Sequence, residues 1–277
     1  MSPLESAFIW AAIVCYGITS ALYIFSFVFK KEKIVVRLPI FAGVAFILHT
    51  AGMIARYNAV GNLPWASDYE TASAGSWFVV LFTLAITLKN RRLSGIGVGT
   101  IPFSLILLGF GVMRSPQLIP MAASLKSFWL GIHVFFAWLA FGGYAVASGL
   151  GIVYVLKEKN PVGDFYRKFP DLPLLDELMF KYLVFGFIAD AVMIASGAIW
   201  AKDLWGNYWS WDPVEMWSLV TWLIYGLAIH LRVTFGWRGR KLAWIVIFAL
   251  SGMVITYFGI NFFVSSSLHF FGAVQGK

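Results

Sequence analysis

Apolar stretches of roughly 18 or more residues recur along the whole of this chain, separated by short polar segments. A backbone in hydrocarbon must satisfy its own hydrogen bonds, which leaves helices or a closed barrel, and apolar runs of this length are helices. With 60% hydrophobic and only 12% charged residues, a soluble domain of this size is excluded. The fold class is all-α: a polytopic membrane helical bundle of about eight transmembrane helices, with residues 1–277 forming a single integral membrane domain. Spans are expected near 7–29, 38–56, 72–88, 95–113, 127–156, 182–202, 214–234 and 242–264. The fifth is long enough to protrude from the bilayer or to tilt. The opening residues, Met1 to Ser6, lack the basic region of a cleavable signal, so the first span is expected to be retained.

The basic residues sort between alternate connections. Sixteen of the 21 lysines and arginines follow spans one, three, five and seven or lie at their ends; the other side has only Arg56, Arg114, Lys126, Lys202 and Lys277. By the positive-inside rule the first set is cytoplasmic and both termini are outside. The net charge of +8 is thus a topology signal, and no nucleic-acid partner is implied. Residues 157–181, on the inner side, carry Pro161, Pro170 and Pro173 and suit a short surface helix near 173–181. Cys15, the single cysteine, lies in the first span and reads as a small buried residue, with no thiol pair in the chain. Gly95, Gly97, Gly99, Gly142 and Gly143 lie in or beside spans, where close helix packing explains them better than phosphate binding.

Residues 205–213, Trp-Gly-Asn-Tyr-Trp-Ser-Trp-Asp-Pro, fall between two spans on the outer side. Three tryptophans, a tyrosine and an aspartate form a π-rich surface that suits a large planar aromatic ligand, haem first. The competing reading is an interfacial aromatic belt, although belt residues are usually scattered among helix ends. His133 lies about two turns into the fifth span from its outer end, and His269 lies just beyond the eighth. Two neutral imidazoles beside this platform could ligate a haem iron from both sides; taken singly, each also suits a hydrogen-bonded interfacial histidine.

Asp212-Pro213-Val214-Glu215 is a helix-start signature, with Asp as N-cap, Pro at N1 and Glu at N3. Capping nearly suffices to explain Asp212. Seventeen residues further, His230 is roughly 25 Å deeper, near the cytoplasmic face. It reads either as a functional intramembrane group or as an anchor beside Arg232. His49 sits near mid-membrane, about 10 Å from the depth of His230 on the same helix arithmetic, too far for two axial ligands of one iron. It reads as a packed, hydrogen-bonded histidine. Asp190, halfway along the sixth span, either pairs within the bundle or lines a pathway.

Three segments together, Gly197-Ala198-Ile199-Trp200-Ala201, Trp205 through Trp217, and Ile229-His230-Leu231-Arg232, closely resemble the tryptophan-rich WWD domain of haem-handling proteins of cytochrome c maturation. With eight spans and histidines before, within and after the motif, the chain resembles the CcsA (ResC) family of the System II pathway. The resemblance implies that His133 and His269 are the external haem ligands, and that Trp205, Tyr208, Trp209, Trp211 and Asp212 belong to the platform within an external haem-binding loop at 200–217. It implies that His230 holds haem b in transit from the inner side, its second ligand coming from a separate CcsB (ResB) membrane partner. It further implies a subunit of a holocytochrome c synthase in a bacterial plasma membrane, presenting haem for thioether linkage to the Cys-x-x-Cys-His of apocytochrome c. Two positions depart from the family pattern. Val214 stands where a basic residue is expected, and the 64–70 loop keeps Tyr69-Glu70 without the usual asparagine. Two alternatives are a CcmC-type chaperone, which passes haem on without forming the bond and commonly has six spans, and a HemX-type membrane regulator, which lacks the Trp-rich motif.

Overall fold

The computed structural model describes residues 1–65, 67–114, 118, 125–160 and 163–255. They form helices and their connections, without a strand among them. The long helices are α1 (Pro3–Val28), α3 (Leu38–Val60), α4 (Asp68–Lys89), α5 (Gly97–Met113), α6 (Phe128–Glu158), α8 (Leu172–Trp205), α9 (Pro213–Phe235) and α10 (Arg240–Val254). Two single turns, α2 (Glu32–Val35) and α7 (Asp164–Arg167), lie in the connections from α1 to α3 and from α6 to α8, and a 3-10 segment, Arg91–Ile96, leads into α5. Seven helices among the described residues are long and apolar enough to cross a membrane. The expected eighth span is described only over Arg240–Val254, its remainder lying outside the described residues.

The connection between α6 and α8 corrects one expectation. No separate surface helix occupies 173–181; those residues are the first turns of α8, a continuous helix of 34 residues. Asp171 is the N-cap and Pro173 falls in the first turn, where a missing N–H costs nothing, and no later proline interrupts the run. The 31 residues of α6 and the 34 of α8 reach about 47 and 51 Å at 1.5 Å per residue, beyond a hydrocarbon core of about 30 Å.

α6 is the hub, and small residues let its neighbours approach. A Cβ on Gly143 would lie 3.1 Å from the Gly186 backbone of α8. One on Gly149 would lie 2.9 Å from the Ile96 carbonyl, and one on Gly151 would lie 3.1 Å from the Ala243 carbonyl of α10. Gly95, Gly97 and Gly99 likewise sit under Phe169, Tyr23 and Ile152, so these glycines serve packing.

At the ends that carry the basic residues, Asp176 of α8 accepts two bonds from Arg232 of α9, each 2.8 Å, and one of 2.7 Å from the Gly239 N–H before α10. One carboxylate therefore ties three helices together. Cys15 is half-buried in α1.

Candidate functional site

Beneath the 205–213 segment a cavity of about 240 Å³ opens between α4, α6, α8 and α9, with Met253 of α10 at its edge. Its long wall is one face of α8, where Asp190, Met193, Ile194, Gly197 and Ala201 recur at helical spacing. Leu130, His133, Val134 and Ala137 of α6 face it, and Glu215, Ser218 and Thr221 of α9 close another side.

His133 is half-buried on this wall. Its Nδ1 lies 2.8 Å from the Met193 carbonyl oxygen, and a Cβ on Gly197 would lie 2.6 Å from that same nitrogen. The imidazole therefore occupies the space a side chain at 197 would fill. A carbonyl can only accept, so Nδ1 carries a proton, and in the neutral ring Nε2 is then the nitrogen with the lone pair. Metal-ligating histidines commonly have their other ring nitrogen held by a carbonyl in this way.

The aromatic segment divides. Trp209, half-buried, and Tyr208, exposed, line the cavity. Trp205 packs edge-on against buried Trp200, with ring centroids 5.3 Å apart, behind the wall. Trp211 is 70% exposed and sits edge-on to Trp209 at 6.1 Å. Its φ of 58° lies in the left-handed region, costly for a bulky residue, and turns the chain sharply into α9.

The expected helix start is present. Asp212 is the N-cap of α9 and accepts from Val214 N–H at 2.9 Å, in a reciprocal capping box with Glu215. Glu215 Oε2 also accepts from the backbone N–H of Ser210 at 2.8 Å and of Asp212 at 3.3 Å. One carboxylate on the cavity wall thus holds the backbone on either side of Trp211.

At the deep end, buried Asp190 accepts from the Tyr144 hydroxyl at 3.1 Å and lines the cavity, so it both pairs within the bundle and faces the open space. The Tyr144 ring stacks on Tyr225 of α9, centroids 3.5 Å apart.

His230 lies elsewhere. It is exposed on the surface of α9, in one stripe with Leu223 and Leu227, with Thr234 Oγ1 3.4 Å from its Nδ1. His49 is fully buried, with Nε2 2.9 Å from Ser73 Oγ and Nδ1 3.5 Å from the Tyr16 hydroxyl. It is a satisfied core histidine on α3, away from the cavity walls. His269 lies outside the described residues.

Sequence reasoning missed Met193, Gly197 as the seat of His133, and Trp65 of the α3–α4 connection, which also lines the cavity. Gly197 stands in the motif, which was a usable signal. Met193 acts through its carbonyl, for which side-chain identity carries no signal.

A long bundle with a histidine and an aromatic segment around one membrane-embedded cavity defines a class of integral membrane proteins, and comparison with known proteins says which. The family model described as "Cytochrome C assembly protein" matches residues 65–269. The cytochrome c biogenesis protein CcsA of Guillardia theta is 30% identical over 90% of each chain. That of Welwitschia mirabilis is 33% identical over 78% of this chain and 80% of its own. The chain belongs to the CcsA family of cytochrome c biogenesis proteins. It is a multi-pass membrane protein of cytochrome c maturation, a role that implies apocytochrome c as the protein acted upon. A solved structure, the cytochrome c heme lyase CcmF, shares the fold at a TM-score of 0.72 and 17% identity. The match covers 93% of this chain and 47% of that one, so this chain spans about half of CcmF.

Proposed function

We propose that this protein is the haem-handling membrane subunit of a System II cytochrome c synthase, with its WWD loop, residues 200–217, on the outer face of a bacterial plasma membrane. His133 in the outer cavity carries this reading: Nδ1 is held by the Met193 carbonyl, the ring is seated on Gly197, and Trp209 shares the cavity. The donor set fits haem b. A neutral imidazole with Nε2 as its lone-pair nitrogen suits iron, and an apolar, aromatic wall suits a macrocycle. His269, in the stretch that follows α10, is proposed as the second external ligand. Trp205 and Trp211 support the loop from behind and outside, while Tyr208 and Trp209 meet the cavity.

Haem supplies the iron and the vinyl groups, and apocytochrome c supplies two thiols and a histidine that displaces an axial ligand. The chain's own residues bind, orient and exclude water. His133 fixes one face of the ligand, and Glu215 and Asp212 hold the aromatic segment rigid at the mouth. His230, exposed on an apolar face of α9, is proposed to meet a second membrane subunit of the CcsB type, which would add the other ligand at the inner site.

Absorption spectra test this reading, taken on detergent-purified protein expressed with and without a CcsB-like partner. A Soret band and a sharp reduced α band should appear in the wild type and vanish in the His133→Ala/His269→Ala double variant, with recovery on adding imidazole. Full haem content and full cytochrome c maturation in that variant would overturn the ligand assignment. A CcmC-type chaperone would bind haem alike but yield no covalent cytochrome when reconstituted with its partner and apocytochrome c.

A further inference from the structure

Three ionisable side chains are buried together at the ends of α1, α3 and α4, and the proposed function gives them no role. Arg56 is 4% exposed, Glu5 0% and Glu70 1%. Arg56 Nε lies 2.8 Å from Glu70 Oε1, its Nη1 lies 3.6 Å from Glu5 Oε1, and the Tyr69 hydroxyl donates to Glu5 Oε1 at 2.9 Å. The guanidinium lies over the Tyr69 ring, 5.2 Å from its centroid. Burying such a group costs desolvation that the ion pairs barely offset, so stability alone is a poor reason for it. What it does supply is a fixed geometry between helix ends.

That geometry frames one connection. Arg56 is in the last turns of α3, Glu70 is in the first turn of α4, and the segment between them carries Trp65. Gly61 ends α3 in the left-handed conformation, and Ser67 caps α4 by accepting from the Glu70 N–H at 3.3 Å. Trp65, Ser67 and Thr71, the last on α4, line the same cavity as the α8 wall and Trp209. The edge of the Trp65 ring lies 3.7 Å from where a Cβ of Gly131 would be, two residues from His133. Its indole Nε1 is buried and has no hydrogen-bond partner among the described residues. A buried donor left so is costly unless an acceptor reaches it.

We propose that Trp65 is a ligand-contacting wall of the haem cavity, and that the Arg56–Glu70 pair is the positioning device that holds it there. This rests on the haem reading of the cavity. The indole offers an apolar face to the macrocycle and an N–H to an acceptor on its periphery. The loop from α8 to α9 is then only one of two jaws, the other being the loop from α3 to α4.

The test is a haemin titration of the detergent-purified full-length protein, followed by the Soret band and by tryptophan quenching. Variants are Trp65→Phe, Trp65→Ala, Arg56→Gln, Glu70→Gln, the Trp65→Ala/Arg56→Gln pair, and His133→Ala. Trp65→Ala should weaken haemin binding about tenfold, and Trp65→Phe by about threefold, with unshifted Soret and α bands because the axial ligands are untouched. Arg56→Gln should weaken binding comparably in the wild-type background and not further in the Trp65→Ala background, which a merely structural role would not produce. Glu70→Gln gives the same reading if Arg56→Gln does not fold. Affinity within twofold of wild type for Trp65→Ala would overturn the wall, and additive losses in the pair would overturn the positioning role. A His133→Ala protein with wild-type spectrum and affinity would sink the His133 assignment while leaving Trp65 to stand or fall on its own variants. Absence of haemin binding by the wild type would sink both.

Discussion

His133 occupies the side-chain space of Gly197: a Cβ at 197 would stand 2.6 Å from the imidazole Nδ1, closer than packed atoms approach. The glycine in the Gly197-Ala198-Ile199-Trp200-Ala201 segment is therefore a seat for the proposed ligand. Gly197→Ala should displace the ring and break its bond to Met193. Haem retained through purification should fall at least tenfold, with a shifted or broadened α band, while α8, which gains about 1 kcal/mol of helix propensity, keeps its thermal stability. An unchanged spectrum would show that the imidazole does not ligate from this position.

The cap of α9 separates two roles for Asp212. Asp212→Ala removes the acceptor for the Val214 N–H and should cost about 1 kcal/mol, read as a lower melting temperature in detergent. Asp212→Asn keeps an acceptor and should stay close to wild type. If cytochrome c maturation follows the melting temperature, with asparagine working and alanine failing, capping is the whole role. A failing but stable asparagine variant would reveal a need for the charge itself.

Asp176 should be the costliest single loss at the basic ends of the helices. Asp176→Ala leaves Arg232 without its bidentate partner and the Gly239 N–H without its acceptor, an expected penalty of about 3–5 kcal/mol. Adding Arg232→Met should recover part of it, because the uncompensated charge goes too. Thermal unfolding of the two variants checks this, and equal melting temperatures would show that the guanidinium finds water or lipid phosphate instead.

His230 should matter only in company. Its exposure on α9 leaves it no second ligand from its own helix stripe, where Leu223 and Leu227 are its neighbours. His230→Ala is expected to leave haem bound by the isolated chain unchanged and to lower haem content when a CcsB-like partner is co-expressed. A loss in the isolated chain would place an iron at His230 without a partner.

Depth and hydropathy made much of this legible. The helical class, the cap at Asp212 and the place of His133 in the early turns of its helix follow from residue spacing, because each depends on local periodicity or on 1.5 Å of rise per residue. The continuous α8 was missed because the short helix expected at 173–181 was taken as separate from the span expected at 182, whereas nothing breaks the helix between them. The division of the tryptophans was invisible for another reason: the positive φ of Trp211 reverses the chain within the motif, and no side-chain pattern announces a left-handed residue that is not glycine. Trp65 was out of reach because the residues that frame its connection, Glu5, Arg56 and Glu70, meet only in the tertiary structure.

The glycine contact between α6 and α8 has a mechanical consequence. Where Gly143 meets the Gly186 backbone the two helices touch main chain to main chain, with the Phe185 and Tyr144 rings packed over the glycines, so a shift of one helix carries the other with it. Both His133 and the carbonyl that orients it ride on that pair. Anything that shifts α6 or α8 therefore moves the imidazole and its hydrogen-bond acceptor together, and the aim of the ring is kept.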